Sequence, residues 1–280
     1  MKNLKTVVLN NNEIAPGYFR MMILAPGYPQ QAKAGQFVML RVQPQSQPLL
    51  RRPFGIFRTG TLPAQCTGLP ERDFVELIYK VVGTGTTMMS ELKNGDPVEL
   101  LGPLGEGFLL ETQSTNHLLV GGGIGLVPLY MLAEKLCQRG DSVRLLMGGR
   151  TRDDILGITE FERLGVETYV STDDGSLGEE GLVTAVLSRK LTRFPDARVY
   201  ACGPMPMLAA VRTICHAADV DLQVSLEALM ACGIGACLGC VVPSKDHSEK
   251  QPDYLCTCKQ GPVFDAEALA WSQGRVSAHD

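Results

Sequence analysis

Residues 117–140 read HLLVGGGIGLVPLYMLAEKLCQRG, and local rules divide this stretch into three parts. HLLV is a short apolar run suited to a buried strand, and Gly121-Gly122-Gly123-Ile124-Gly125 is a turn. Val127, Tyr130, Met131, Leu132 and Leu136 then recur at helical spacing until Gly140 stops the helix. Strand, glycine-rich turn and helix in that order aim main-chain N–H groups at the strand's carboxyl end, where doubly wound sheets bind a dinucleotide pyrophosphate. Alone, the pattern suits a tight strand–helix turn equally well. Val127 or Pro128 stands where the full fingerprint has its last glycine.

The sequence downstream repeats the alternation. VRLLMGGR, ETYVSTDDG and ARVYACGP read as further strands, with VTAVLSRKL and MPMLAAVRTICHAA as helices. We expect a doubly wound parallel α/β domain over residues 113–222. Thr172-Asp173-Asp174-Gly175-Ser176 and Cys202-Gly203-Pro204-Met205 also fall at strand ends, so three loops converge on one rim. That convergence favours a nicotinamide site. Gly121, Gly122, Gly123, Gly125, Asp173, Asp174, Gly203 and Pro204 are its candidate contacts, and Cys202 is the candidate catalytic residue.

Upstream, KTVVLNN, YFRMMIL, GQFVMLRV, FVELIYKVV and DPVELLG are β-rich runs separated by PG, AG and NGD turns. Closely spaced strands of this kind predict an N-terminal antiparallel β-barrel over 1–112, with Lys93 to Asp96 as the turn before its last strand. Arg52-Pro53-Phe54-Gly55-Ile56 lies on one predicted strand, followed by Ile78-Tyr79-Lys80 and Gly83-Thr84-Gly85-Thr86. A guanidinium for a pyrophosphate, apolar surface for an isoalloxazine and small residues for phosphate approach suit a flavin dinucleotide. Arg52, Pro53, Phe54, Gly55, Ile78, Tyr79, Lys80, Gly85 and Thr86 are therefore candidate FAD contacts. Taken alone, a surface arginine beside an ordinary edge strand explains them better.

Five of the nine cysteines crowd into residues 232–258, within a loop-rich segment (223–280) too poor in apolar residues for a core of its own. Such a segment gains from a metal staple. Cys232-x4-Cys237-x2-Cys240 has the spacing of plant-type ferredoxins, with Cys256 and Cys258 following; four thiolates hold a [2Fe–2S] cluster. Structural zinc sites more often use paired C-x2-C knuckles. The four histidines show no ligand spacing and read as surface or packing residues, and Trp271 as an anchor for the tail.

The whole chain has 280 residues, 45% hydrophobic and 20% charged, with a net charge of −4 and no basic block. That composition argues against disorder and against nucleic acid as partner. No apolar run is long enough to span a membrane and the N-terminal residues are too polar for a signal peptide, so a cytoplasmic location is expected.

The order R-P-F-G-I, Y-K-V-V-G-T-G-T, G-G-G-I-G, T-D-D-G-S, C-G-P-M, C-x4-C-x2-C and G-P-V-F resembles the electron transfer subunit of class 1B dihydroorotate dehydrogenase, within the ferredoxin-NADP reductase-like superfamily. The likeness covers nearly the whole chain. It implies a carrier of electrons from a dihydroorotate-oxidising FMN subunit through a [2Fe–2S] cluster and FAD to NAD+, two of each subunit assembling together in pyrimidine biosynthesis. Subunits of hydrogenases and ferredoxin-NADP transhydrogenases share the three-part order and form the alternative. The family's fourth ligand precedes two residues and G-P-V-F, which makes Cys232, Cys237, Cys240 and Cys258 the implied ligands and Cys256 the spare. Two departures stand out: Gly55 replaces a Ser or Thr, and the stretch from Val241 to Cys258, with Pro243 and Pro252, is longer.

Overall fold

The computed structural model describes residues 1–42, 50–64, 70–111, 113–248 and 250–271. Of the histidines, His279 lies outside them. The first unit contains β1 (Lys2–Ala15), β2 (Tyr18–Leu24), β3 (Phe37–Val42), β4 (Arg52–Gly55), β5 (Arg58–Leu62), β6 (Arg72–Lys80) and β7 (Pro97–Leu104), in the order β4-β3-β7-β1-β2-β6-β5. All neighbours are antiparallel. Alternate side chains such as Met21 and Ile23 on β2 and Val75 and Leu77 on β6 are fully buried inside the curved sheet. The expected turn before β7 forms as predicted: Lys93 N donates to Asp96 Oδ2 at 2.7 Å, Asp96 N donates to the Lys93 carbonyl at 3.0 Å, and Gly95 takes φ 91°. Polar β5 (RTGTL) has no apolar alternation, so the sequence did not reveal it.

One stretch of chain nearly closes this barrel. β4 pairs with β3, then Ile56 N donates to the Gln36 carbonyl (3.1 Å) and Phe57 N to that of Glu76 (2.9 Å), after which β5 pairs with β6. The chain thus changes partner at Ile56–Phe57. Among the described residues, β5 covers β6 only over Arg72–Glu76, and no strand covers the outer edge of β4. A seam remains between Arg52–Gly55 and the end of β6.

The second sheet takes β8 (Asn116–Gly122), β9 (Ser142–Gly149), β10 (Glu167–Thr172), β11 (Glu179–Glu180), β12 (Arg198–Cys202) and β13 (Leu222–Ser225) from the α/β region. The cysteine segment adds a hairpin of β14 (Val241–Pro243) and β15 (Tyr254–Cys256), then β16 (Val263–Asp265). The sheet order is β11-β10-β9-β8-β12-β13-β16, parallel except for β16. The chain winds outward in opposite directions from the β8–β12 pair, the switch point where doubly wound sheets bind ligands.

Helix Val127–Gln138 follows the glycine turn, with Pro128 tolerated in its first turn because that N–H has no intrahelical acceptor. Leu129, Leu132, Ala133 and Leu136 are fully buried, while Tyr130 stacks on Phe57 of the barrel at 4.4 Å between ring centroids. This helix is therefore buried between both units.

The cysteine segment is not free-standing. β16 extends the α/β sheet, and the 222/223 boundary proposed from sequence falls within β13. Glu106 N donates to the Gly261 carbonyl (2.6 Å) and Leu226 N to that of Pro262 (2.9 Å), so G-P-V-F is clamped between the barrel's exit loop and the sheet. Trp271 anchors the described end of the chain by donating from Nε1 to the Ala266 carbonyl at 2.7 Å.

Candidate functional site

The flavin candidates line the seam. Strand β4 carries Arg52, Pro53, Phe54 and Gly55, all half-buried, and Phe54 meets Tyr79 of β6 edge-on at 5.9 Å. Tyr79 is held from behind by Phe19, stacked at 5.7 Å, and by donating to Asn11 Oδ1 at 3.1 Å. Strand alternation puts Ile78 on the opposite face from Val75, Leu77 and Tyr79, where its side chain is buried, so only its main chain is presented at the seam. Arg52 Nη1 donates to the Leu50 carbonyl at 2.8 Å.

Beyond β6, the expected Gly-Thr loop is a short helix, Thr84–Ser90, in whose first turn Gly85 and Thr86 are buried. Thr86 Oγ1 accepts from Val82 N (2.9 Å) and Gly83 N (3.1 Å), so this hydroxyl shapes the turn. Lys80 turns toward the other unit: its Nζ donates to Tyr18 Oη at 2.8 Å, and Tyr18 donates to Asp154 Oδ1 at 2.6 Å. Burial raises the Asp154 carboxyl, but the Tyr18 hydroxyl, the Arg150 amide and the Lys80 cation outweigh it and hold it below the ordinary carboxylate range. With the Arg20–Glu160 ion pair, this network fixes barrel and sheet together.

The glycine turn and the Cys202-Gly203-Pro204 loop meet at the switch point. A Cβ on Gly125 would stand 2.1 Å from the Cys202 carbonyl oxygen and one on Gly203 3.0 Å from Gly122 N, so the two loops touch backbone to backbone. Gly122 abuts Pro204 and Met207, and Gly123 takes φ 53°. Asp173 N donates to the Gly149 carbonyl at 3.0 Å, which seats Asp173 and exposed Asp174 at the same strand ends. The Ser176 hydroxyl and amide hold the Asp174 carboxyl below its ordinary range. Burial pushes the Cys202 thiol up to about 12, only partly offset by Ser225. At neutral pH it is an uncharged thiol and not a nucleophile.

In the cysteine loop, N–H groups turn toward sulfur, as the glycines allow. Ile234 N and Cys237 N lie 3.5 and 3.4 Å from Cys232 Sγ, Gly235 N 3.0 Å from Cys258 Sγ, and Cys258 N 3.3 Å from Cys240 Sγ. Burial raises the Cys232 thiol, but the N–H groups of Ile234 and Cys237 lead the contacts that bring it down to about 6. Cys240, Cys256 and Cys258 are buried with their sulfurs within 4.8 Å of one another, whereas Cys237 is exposed. Clustered thiols served by main-chain donors are the donor set that an iron–sulfur cluster requires.

The three zones adjoin. Gly233 packs so closely on Met39 that a Cβ would lie 2.5 Å from its Cγ, and Met39 is the ladder partner of Pro53. Two residues on, Gly55 faces Val127 at the start of the buried helix, its Cβ position 3.4 Å from Val127 Cγ1.

Residues 227–270 match the family described as the iron-sulfur cluster binding domain of dihydroorotate dehydrogenase B, and residues 119–213 match the oxidoreductase NAD-binding domain. The dihydroorotate dehydrogenase B (NAD(+)) electron transfer subunit of Geobacillus sp. (strain WCH70) is 39% identical over 270 residues, spanning 95% of this chain and 98% of that one. The chain belongs to this family of electron transfer subunits.

A second dihydroorotate dehydrogenase B subunit, from Fusobacterium nucleatum subsp. nucleatum, is 38% identical over 94% of this chain and 97% of its own length. Among solved structures, an NADH-dependent reduced ferredoxin-NADP oxidoreductase studied for flavin-based electron bifurcation aligns with a TM-score of 0.79 and 30% identity, over 95% of this chain and 90% of that one. A ferredoxin NADP+ reductase from Neisseria gonorrhoeae with bound FAD and NADP shares the fold at a TM-score of 0.61 and 17% identity, over 78% and 92%. The dihydroorotate dehydrogenase B reading is thus favoured over the hydrogenase or transhydrogenase alternative, and iron–sulfur over zinc. As an electron transfer subunit of dihydroorotate dehydrogenase B, the chain is an oxidoreductase component that works with a catalytic dihydroorotate dehydrogenase subunit. Among the described residues, no helix is long and apolar enough to cross a membrane.

Sequence reasoning missed Met39, Val127 and the Tyr18–Asp154 pair as parts of the site's framework. Met39 sits in an ordinary apolar strand and carries no motif. Tyr18 and Asp154 are separated by 136 positions, and nothing local links them.

Proposed function

We propose that the cysteine loop, the β4–β6 seam and the β8–β12 rim form one path, in that order, between an FMN-containing catalytic subunit and NAD(H). Two copies of each subunit would assemble, in the cytoplasm. The observation that carries this reading is the run of contacts from Gly233 to Met39, across the ladder to Pro53, and from Gly55 to Val127. Bound FAD supplies the conversion between the single electrons of a [2Fe–2S] cluster and the hydride that NAD+ accepts.

The chain's own residues do the holding. Cys232, Cys237, Cys240 and Cys258 are the proposed cluster ligands, with main-chain N–H groups offsetting charge on the sulfurs. In the seam, Phe54 and Tyr79 orient the flavin ring, the main-chain edge of Ile78–Lys80 away from β2 offers hydrogen bonds, and the turn around Gly85 and Thr86 takes the phosphate end. At the rim, Gly121–Gly125 with Gly203 and Pro204 admit the nicotinamide nucleotide to the backbone, and Asp173 and Asp174 offer acceptors to its hydroxyls. Cys202, as a neutral thiol, adds an uncharged floor where hydride passes.

Arg52→Ala should weaken FAD binding roughly 10- to 150-fold, the equivalent of a lost charge-assisted contact to pyrophosphate. Gly55→Ser should leave it nearly unchanged, because a Cβ there meets Val127 only at ordinary contact distance. Flavin content after dilution and dialysis reads both. Full retention in Arg52→Ala would remove this arginine from the site.

The overall reading is tested with the purified chain. Alone, it should pass electrons from NADH to an artificial dye and should leave dihydroorotate untouched; adding the catalytic subunit should create dihydroorotate-to-NAD+ transfer. Dihydroorotate oxidation by the isolated chain would overturn the division of labour.

A further inference from the structure

We propose that Cys256 is a reserve ligand of the iron–sulfur centre: the segment carries five cysteines for a group that uses four, and Cys256, clustered with Cys240 and Cys258, takes up the iron when Cys258 is removed. The inference rests on the cluster reading above.

Antiparallel pairing in the β14–β15 hairpin sets Cys256 opposite Val241, the residue after Cys240. Its sulfur lies 3.7 Å from Cys240 Sγ and 3.6 Å from Cys258 Sγ. Two thiolates bound at about 2.3 Å by one tetrahedral metal ion stand about 3.8 Å apart. Cys256 thus forms an edge of ligand-tetrahedron length with each neighbour, and a metal ion held by Cys240 is within reach of Cys256 as well as Cys258.

The position does not depend on Cys258. Cys256 N donates to Gln260 Oε1 at 2.7 Å, the Cys256 carbonyl accepts from Lys259 N and Gln260 N at 3.0 and 2.8 Å, and Thr257 N donates to the Cys240 carbonyl at 3.1 Å. All of these bonds survive truncation at position 258. The hairpin also explains how a longer Val241–Cys258 stretch delivers a fifth thiol. Ser244 N donates to the Asp253 carbonyl at 3.1 Å, which closes the insertion into a strand pair whose register aims Cys256 at the cluster side.

The test compares Cys256→Ala, Cys258→Ala and the double variant in the full chain, prepared anaerobically. Iron, acid-labile sulfide and the electron paramagnetic resonance spectrum of the reduced protein are read. FAD content of the same samples reports folding, and Cys258→Ser repeats the comparison near native volume. Cys256→Ala should keep its iron and spectrum. Cys258→Ala should keep most of its iron with an altered spectrum, and the double variant should lose nearly all of it. Cys258→Ala as empty as the double variant, loss of iron from Cys256→Ala alone, or iron retained in the double variant would each overturn the proposal. An unaltered chain with flavin and no iron would overturn the cluster reading itself, and the proposal with it.

Discussion

Leu238→Asp should abolish dihydroorotate-to-NAD+ transfer in the assembled enzyme while leaving NADH-to-dye activity of the isolated chain intact. Leu238 stands between Cys237 and Cys240 with 62% of its surface exposed, and Ile234 and Leu229 of the same segment are 47% and 91% exposed. Exposed apolar residues around a redox centre suit a docking face, and electron transfer falls steeply as two centres separate. A carboxylate placed there would leave an unpaired charge at the contact, which costs several kcal/mol when desolvated. The backbone provides a control for folding. Leu238 has φ 58°, a conformation that Asp and Asn adopt more readily than Leu, so the substitution does not strain the loop. Leu238→Asn should accordingly weaken transfer less than Leu238→Asp. Retained transfer in the Asp variant, or equal loss of dye reduction, would move the docking face elsewhere.

Gly125→Ala should cost nicotinamide binding on the order of 100-fold while FAD and iron stay in place. The added Cβ would lie 2.1 Å from the Cys202 carbonyl oxygen, 2.5 Å from its carbon and 2.8 Å from Gly203 N. All three are backbone atoms near the C-terminal end of β12, so no rotamer change relieves the clash and the switch-point loops must part. Overpacking of this kind costs about 3 kcal/mol; loops that part to relieve it must close again around the nucleotide, and that cost then falls on binding as roughly 100-fold in affinity at 1.4 kcal/mol per tenfold. Titration of NADH against the flavin spectrum reads the effect. An affinity within a factor of about two of the unaltered chain would show that the loops tolerate separation.

How much could be read locally depends on where each feature stores its information. The β8 turn, the helix it opens and the Lys93–Asp96 turn follow from period, glycine and side-chain capping, and the structure has them where those rules put them. Strand β5 escaped because both its faces are polar or small, and helix Thr84–Ser90 because Gly and Thr are poor helix formers that tertiary packing of Met89 overrides. Strands β13 and β16 escaped for another reason: each is only three or four residues long and gains strand geometry from its neighbour.

The linear sequence pointed to the three chemistries only through its motifs read together and in order, since C-x4-C-x2-C, the glycine-rich strand–helix turn and R-P-F-G each state a requirement on residue type within a few positions. Tertiary structure alone decided how those chemistries connect. Only the ladder puts Met39 beside Pro53, only packing presses Gly233 on Met39 and Gly55 toward Val127, and only the β14–β15 hairpin brings Cys256 beside Cys240 and Cys258. Each of these depends on non-local pairing, where a shift of one residue would turn the side chain to the other face. A linear pattern does not encode that choice; the closure of the barrel seam and the burial of a shared helix do.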